Sequence, residues 1–130
     1  MIEVYTDGGS RGNPGKAACA FVIYENHILK HQAYFYLNLT TNNQAEYSGL
    51  LNALKFLVKE NILEAKFYSD SELMVKQIQK LYKVKEPSIQ KIYNEVMLEV
   101  VKFKKFEISH IRREKNKVAD LLVNKCLDEN

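Results

Sequence analysis

The hydrophobic period changes along this chain from two to three-and-four, and that change limits the folds open to it. Ile2-Glu3-Val4-Tyr5-Thr6-Asp7 alternates apolar with polar and reads as a strand ending at Asp7. The Gly-rich stretch Gly8 to Gly15 is expected to break it. Ala17 to Glu25 reads as a second strand, Asn26-His27 as a tight turn, and Ile28 to Leu37 as a third strand rich in aromatics. Short connections make these three an antiparallel meander. The aromatic run Tyr34-Phe35-Tyr36 is read as ordinary sheet packing in preference to a base-stacking platform.

From Thr41 onward the spacing is helical. Thr41 is placed to cap a helix starting near Asn42 or Asn43, whose buried face is Tyr47, Leu50, Leu51, Leu54, Leu57 and Val58. Ala65 to Ser69 is a short fourth strand. Ser71 to about Leu81 is a second helix with Leu73, Met74, Ile78 and Leu81 apolar, followed by the charged connector Lys83 to Glu86. Pro87 suits the first turn of a third helix, lined by Ile89, Ile92, Tyr93, Val96, Val100 and Phe103. Phe106 to Ile111 is a fifth strand. Asn116 caps a last helix with Val118, Leu121, Leu122 and Cys126 inward. The order β-β-β-α-β-α-α-β-α requires crossovers into the later strands, which therefore run parallel to the first. The expected fold is α/β: a mixed five-stranded sheet, three strands antiparallel and then parallel strands, with helices on both faces.

At 130 residues and 46% hydrophobic, the chain suits one domain spanning 1–130, with no linker and no repeat. Glu3 and Asp7 near the start argue against a secretory leader, and no apolar run is long enough for a membrane span. A cytoplasmic, soluble protein is expected, monomeric and without an obligate protein partner. Cys19 and Cys126 are read as buried free thiols, with a disulfide between them left open. Net charge is +3, but four carboxylates gathered in one site would leave the rest of the surface at +7. Lysines and arginines concentrate in the second half, at Lys76, Lys80, Lys83, Lys85 and again from Lys102 to Lys117. An acidic pocket amid such residues suits a polyanionic partner.

Asp7 and Asp70 sit at the ends of strands that should be parallel neighbours, so both point to the carboxyl edge, where open α/β sheets place their sites. Glu46 falls in the first turn of the first helix and Asp120 in the first turns of the last. Each alone reads equally well as a turn-former or cap. Together they form a half-buried cluster of like charges, unfavourable unless a cation neutralises it. Hard oxygen ligands without thiolate select Mg²⁺ or Mn²⁺ over Zn²⁺. Carboxylates that hold such ions beside a basic surface point to phosphoryl transfer on nucleic acid.

Four segments, in order, resemble the motifs of type 1 ribonucleases H. They are Tyr5-Thr6-Asp7-Gly8-Gly9-Ser10-Arg11-Gly12-Asn13-Pro14-Gly15, Thr41-Asn42-Asn43-Gln44-Ala45-Glu46-Tyr47, Tyr68-Ser69-Asp70-Ser71, and His110 to Leu121 in the form common to archaeal-like and some bacterial members. The resemblance implies an endonuclease that hydrolyses the RNA strand of an RNA–DNA hybrid with two Mg²⁺ ions, Mn²⁺ being a substitute, and leaves 5′-phosphate and 3′-hydroxyl ends. Asp7 would bridge both ions. Asp120 would help hold the ion that activates water, and Glu46 and Asp70 the ion at the leaving oxygen. Gly8, Asn13, Asn42 and Asn43 fall where the family touches the RNA strand, and Thr41 where it binds a DNA phosphate. His110 matches an auxiliary histidine in spacing but falls in an expected strand, and Arg112 or Arg113 is an alternative helper beside the phosphate.

This sequence departs from the family in two places. Lys83 to Pro87 is short and the chain has no Trp, so the basic, Trp-rich protrusion of some members is missing. Glu72 and Lys76 stand where many members carry amides facing the RNA, so cutting of double-stranded RNA is an alternative activity. The other readings are a catalytically silent hybrid-binding module of the same fold, a dinucleotide-binding protein, and a transposase- or integrase-like nuclease. The glycine loop runs into a strand, not a helix, which disfavours the dinucleotide reading.

Overall fold

The computed structural model describes residues 1–130. The elements are β1 (Ile2–Gly12), β2 (Gly15–Glu25), β3 (Ile28–Thr40), α1 (Asn42–Lys59), β4 (Glu64–Ser69), α2 (Glu72–Ile78), α3 (Pro87–Val100), β5 (Lys105–His110), a 3₁₀ turn at Arg113–Lys115, and α4 (Lys117–Asp128). The sheet order is β3-β2-β1-β4-β5, antiparallel through β3, β2 and β1, and parallel from β1 to β4 and β5. This is the mixed sheet expected from the change of period.

Local chemistry explains the boundaries. Asn26 and His27 both take positive φ, 52° and 68°, as a two-residue hairpin turn requires. Thr41 closes a full capping box on α1: its hydroxyl accepts from the Gln44 amide, and Gln44 reaches back to the Thr41 amide. Pro87 opens α3, where its missing N–H costs nothing. Asn38, at φ 61°, sits in a bulge of β3 facing Ala17 and Ala18.

The helices divide between the faces. One face carries the larger core, in which Val4, Phe21, Ile23 and Phe67 of the sheet pack against Leu50, Leu54 and Leu57 of α1, Met74 and Val75 of α2, and Val96 of α3. The other face is covered by α4 alone, with Ala119, Leu122, Val123, Cys126 and Leu127 on Ala18, Ala20 and Val22. Cys19 lies beside Asn52 of α1 while Cys126 belongs to the α4 layer, so both are free and buried on opposite sides of the sheet. No helix is long and apolar enough to cross a membrane.

Several expectations are corrected. β1 does not stop at Asp7: it runs on through the glycines to Gly12, with Gly8 opposite Cys19, Gly9 opposite Ala18 and Ser10 opposite Ala17. The glycines mark close backbone approach within a strand, not its end. α2 ends at Ile78, and Leu73 and Leu81 are exposed, not inward. In α4 the inward side is Ala119, Leu122, Val123, Cys126 and Leu127, whereas Val118 and Leu121 face solvent. Asn116 stands at the N-cap position of α4 but makes no side-chain cap. Tyr34 and Tyr36 pack against the α4 layer, and the Tyr34 hydroxyl donates to Glu129, as ordinary sheet packing requires.

Candidate metal centre

Past the pair Thr6–Ser69 the parallel strands β1 and β4 part, and the carboxylates collect at that opening. Asp7 is the next residue on β1 and Asp70 follows the end of β4. Glu46 arrives from α1, one residue beyond the first turn in which it was expected. Ligand oxygens of Asp7, Glu46 and Asp70 lie within 4.8 Å of one another. Asp7 and Glu46 are only 4% and 6% exposed, which for two like charges is a costly placement. Asp120, in the first turn of α4, lines the same cleft of about 320 Å³ but stays at its rim, 3.6 Å from the Arg113 guanidinium. Three of the four expected carboxylates therefore form the tight cluster and the fourth flanks it.

Glycine is what lets α1 bring Glu46 so near. A β-carbon on Gly8 would overlap the Ala45 carbonyl and the Glu46 amide, and one on Gly49 would come within 2.6 Å of the Asp7 carbonyl oxygen. The first turn and middle of α1 thus rest directly on the backbone of β1.

The electrostatics follow from burial and crowding. Burial, then the neighbouring Asp70 charge, pushes the Asp7 carboxyl up to about 8, against a bond from the Gly8 amide that favours the anion. Glu46 is raised well above the ordinary range by burial, then by Asp7 and Asp70. Asp70 is raised by burial, offset by a bond from Asn116 and by Arg113.

The residues fit a divalent cation on two counts. The donor set is all carboxylate oxygen, which suits hard cations. Glu46 Oε1 is buried with no hydrogen-bond partner, an arrangement that is costly for a protonated or bare carboxylate and natural for a ligand. A groove of similar size, about 290 Å³, lies between Tyr5, Tyr24 and the start of α4, and no cluster of ligating groups gathers there.

The remaining expected residues separate by position. Asn42 lines the cleft, its Oδ1 accepting from the Ser10 backbone amide while its backbone N–H donates to Asn13 Oδ1 at 3.1 Å. Asn43 faces away, into a groove beside Lys83 and Lys85. Thr41 is engaged in its capping box. Gly8 is buried and can offer only backbone. Arg113 lines the cleft, whereas Arg112 lies 3.9 Å from Glu114 and does not. His110 is the last residue of β5, with Nδ1 4.0 Å from Glu72, close enough to act on the charge of Asp70. Asn116 was read from sequence only as a cap. Its side chain instead donates to the Thr6 carbonyl at 2.9 Å and to Asp70 at 3.4 Å.

A pH dependence follows for protein stripped of divalent ions. Asp7 has its carboxyl raised from an unfolded value near 3.8 to about 8, so its contribution to stability is complete below the lower value. That contribution is lost as pH climbs through the higher value. In chelator, denaturant midpoints should fall between about pH 4 and pH 8 more steeply for the native sequence than for Asp7→Asn. Parallel curves would show that Asp7 is charged in the folded protein throughout.

Sheet order, the parting of β1 and β4, and an acidic cluster at that point define the class: a protein of ribonuclease H fold. Comparison with known proteins narrows it. A family model described as "Reverse transcriptase-like" matches residues 5–126. The chain is 33% identical over 129 residues to the bifunctional protein Rv2228c of Mycobacterium tuberculosis, covering 98% of this chain and 35% of that protein. It is 30% identical to ribonuclease HI of Halobacterium salinarum, over 98% of this chain and 65% of that one. It thus spans about a third of Rv2228c and under two thirds of the Halobacterium enzyme. Among solved structures, LC11-RNase H1 in complex with an RNA/DNA hybrid superposes with a TM-score of 0.94 at 38% identity, over 99% of this chain and 98% of that one. RNase H1 from Halobacterium salinarum NRC-1 gives 0.95 at 30% identity, over the same shares. The chain belongs to the type 1 ribonuclease H family.

Proposed function

We propose that this protein is a metal-dependent endonuclease that hydrolyses the RNA strand of RNA–DNA hybrids, leaving 5′-phosphate and 3′-hydroxyl ends. The observation that carries the reading is the convergence of Asp7, Glu46 and Asp70 within 4.8 Å, with a buried Glu46 oxygen that no protein donor satisfies. Asp7, Glu46, Asp70 and, from the rim, Asp120 would hold two hard divalent cations, Mg²⁺ or Mn²⁺, with Asp7 shared between them. Such a pair supplies an activated water and charge stabilisation at the leaving oxygen. The relative structure bound to an RNA/DNA hybrid supports the substrate class.

The chain's own groups supply positioning. Asn42, braced by Ser10 and Asn13, presents its amide beside the cluster, where it meets a ribose 2′-hydroxyl, the group that distinguishes RNA from DNA. Gly8 offers the strand only its backbone, its missing side chain being what seats α1 on β1, and Thr41 and Asn43 at the start of α1 meet the nucleic-acid backbone further along. Arg113 stands where a guanidinium stabilises a crowded phosphate, and it fits that role better than Arg112 or His110. We read residues 1–130 as one domain acting as a monomer in the cytoplasm. A catalytically silent hybrid binder is the weaker reading, since it leaves the burial of Asp7 and Glu46 without a purpose.

The test is cleavage of end-labelled RNA presented as hybrid, as RNA duplex and as single strand, each with Mg²⁺, with Mn²⁺ and with chelator. Internal cuts confined to the hybrid and dependent on metal are expected. Cutting of the RNA duplex as well would place Glu72 and Lys76 among the causes of relaxed selectivity. Hybrid binding without cutting in any metal would replace the nuclease by the silent module.

A further inference from the structure

We propose that Asn116 is the positioning residue of the metal centre, a single residue that ties three of its four carboxylate-bearing segments together, two through its side chain and the third through its main chain. The inference rests on the reading of the cluster as a cation site and adds what sets its geometry. Asn116 is 1% exposed and belongs to neither strand of the cluster. Its Nδ2 donates to the carbonyl of Thr6, the residue before Asp7, at 2.9 Å. The same nitrogen lies 3.4 Å from Asp70 Oδ2. Its main-chain carbonyl accepts the amide of Asp120 at 3.1 Å, the first hydrogen bond of α4.

The position in the sheet explains why a side chain is needed there. The β1–β4 ladder ends at Thr6–Ser69, and beyond it the strands separate to make room for the cluster. The two separating ends have no strand between them to set their spacing. The single Nδ2 of Asn116 bridges that gap, with one acceptor on each side. Asn116 forgoes the capping role its position offers: its φ is −119° and its side chain makes no bond to the α4 amides. A residue wanted only as a helix cap would turn its side chain toward the helix. This one turns away, to the two chain segments that carry Asp7 and Asp70. Partners that orient metal ligands in this manner typically set affinity by about 10–100-fold.

The experiment measures Mn²⁺ binding by calorimetry, without substrate, on the native protein, Asn116→Ala, Asn116→Asp and Val22→Ala. Val22 is fully buried under α4 and stands opposite Tyr5, while Asp7 faces Ala20, so Val22→Ala reports on destabilisation of that layer alone. Asn116→Ala should bind Mn²⁺ at least about tenfold more weakly, with Val22→Ala unchanged. Asn116→Asp keeps the shape but loses the donor, so it should not restore affinity. Native affinity in either Asn116 variant, or an equal loss in Val22→Ala, overturns the proposal. Absence of Mn²⁺ binding by the native protein would overturn the cation-site reading instead, so the two failures are distinguishable. Should the Asn116 variants not fold, the native protein still decides. Its Asn116 side-chain NH₂ resonances should exchange slowly with solvent and shift on Mg²⁺ titration with the same midpoint as binding. Fast exchange, or no shift at saturation, overturns the proposal.

Discussion

Replacing Asp7 by Asn should abolish most turnover while making the metal-free protein more stable. Activity should fall by roughly 10³-fold or more, because the several kcal/mol of transition-state stabilisation that a bound ion supplies converts at about 1.4 kcal/mol per factor of ten. Stability should move the other way. Asp7 is 4% exposed beside Glu46 and Asp70, and burial, then the charges of Asp70 and Asp120, oppose its ionisation. An amide of the same shape removes that repulsion, keeps the packing, and at neutral pH in chelator should raise Tm by roughly 3–8 °C, as about 1–2 kcal/mol does in a domain of this size. Saturating Mg²⁺ should reverse the order, since the native site then gains the ion's binding energy. Scanning calorimetry of both proteins, with metal and with chelator, reads all four cases. A variant that is inactive and also less stable in chelator would mean that Asp7 holds the fold together and that the loss of activity says nothing of its chemistry.

The opposed signs are the expected mark of a functional cluster. Natural folds avoid gathering three carboxylates, two of them buried, unless the arrangement does something besides folding. The rest of the molecule follows local rules closely: a capping box at Thr41, a positive-φ turn at Asn26 and His27, a proline at the start of α3. Against that background the exception at the parting of β1 and β4 is informative.

The strand order and the pairing sense were legible in the sequence because they depend on period and on connection length, both of which are local quantities. The identity of the acidic residues was legible because each borders an apolar run. The course of β1 was not. Glycine normally punctuates strands, and only the facing small residues Ala17, Ala18 and Cys19 reveal that the strand continues. Those residues are uninformative until the register is known. The same is true of α4, where Val118 and Leu121 fit an apolar stripe as well as Val123 and Leu127 do, and only the direction of approach to the sheet chooses between them. Asn116 was legible as a helix start. Its contact with Thr6, 110 residues away, is tertiary and leaves no local signature. A polar residue that is 1% exposed beside the fourth acidic motif is the type of signal that becomes readable only once burial is known.

Gly8→Ala should be strongly damaging, and its effect on activity should exceed its effect on stability. A β-carbon at Gly8 would meet backbone atoms of Ala45 and Glu46, not the end of a flexible side chain, so α1 itself must lift from β1. Overpacking of this kind costs about 1–3 kcal/mol, and rigid backbone on both sides puts Gly8 at the upper end. A Tm lower by roughly 10–15 °C is expected. The same displacement carries Glu46 away from Asp7 and Asp70. A shift on the order of 1 Å in a reacting group costs about 10²-fold in rate, so protein that remains folded at the assay temperature should still be severely impaired. Gly9→Ala is the matched comparison: its β-carbon would meet Val123 Cγ1 at 3.6 Å and Asn42 Oδ1 at 3.8 Å, ordinary contacts that should leave stability within about 0.5 kcal/mol of native. Thermal melts of both variants, followed by hybrid cleavage well below the lower Tm, separate the two effects. If Gly8→Ala melts with Gly9→Ala and cuts at the native rate, α1 does not rest on β1 as described, and Glu46 must reach the cluster by another route.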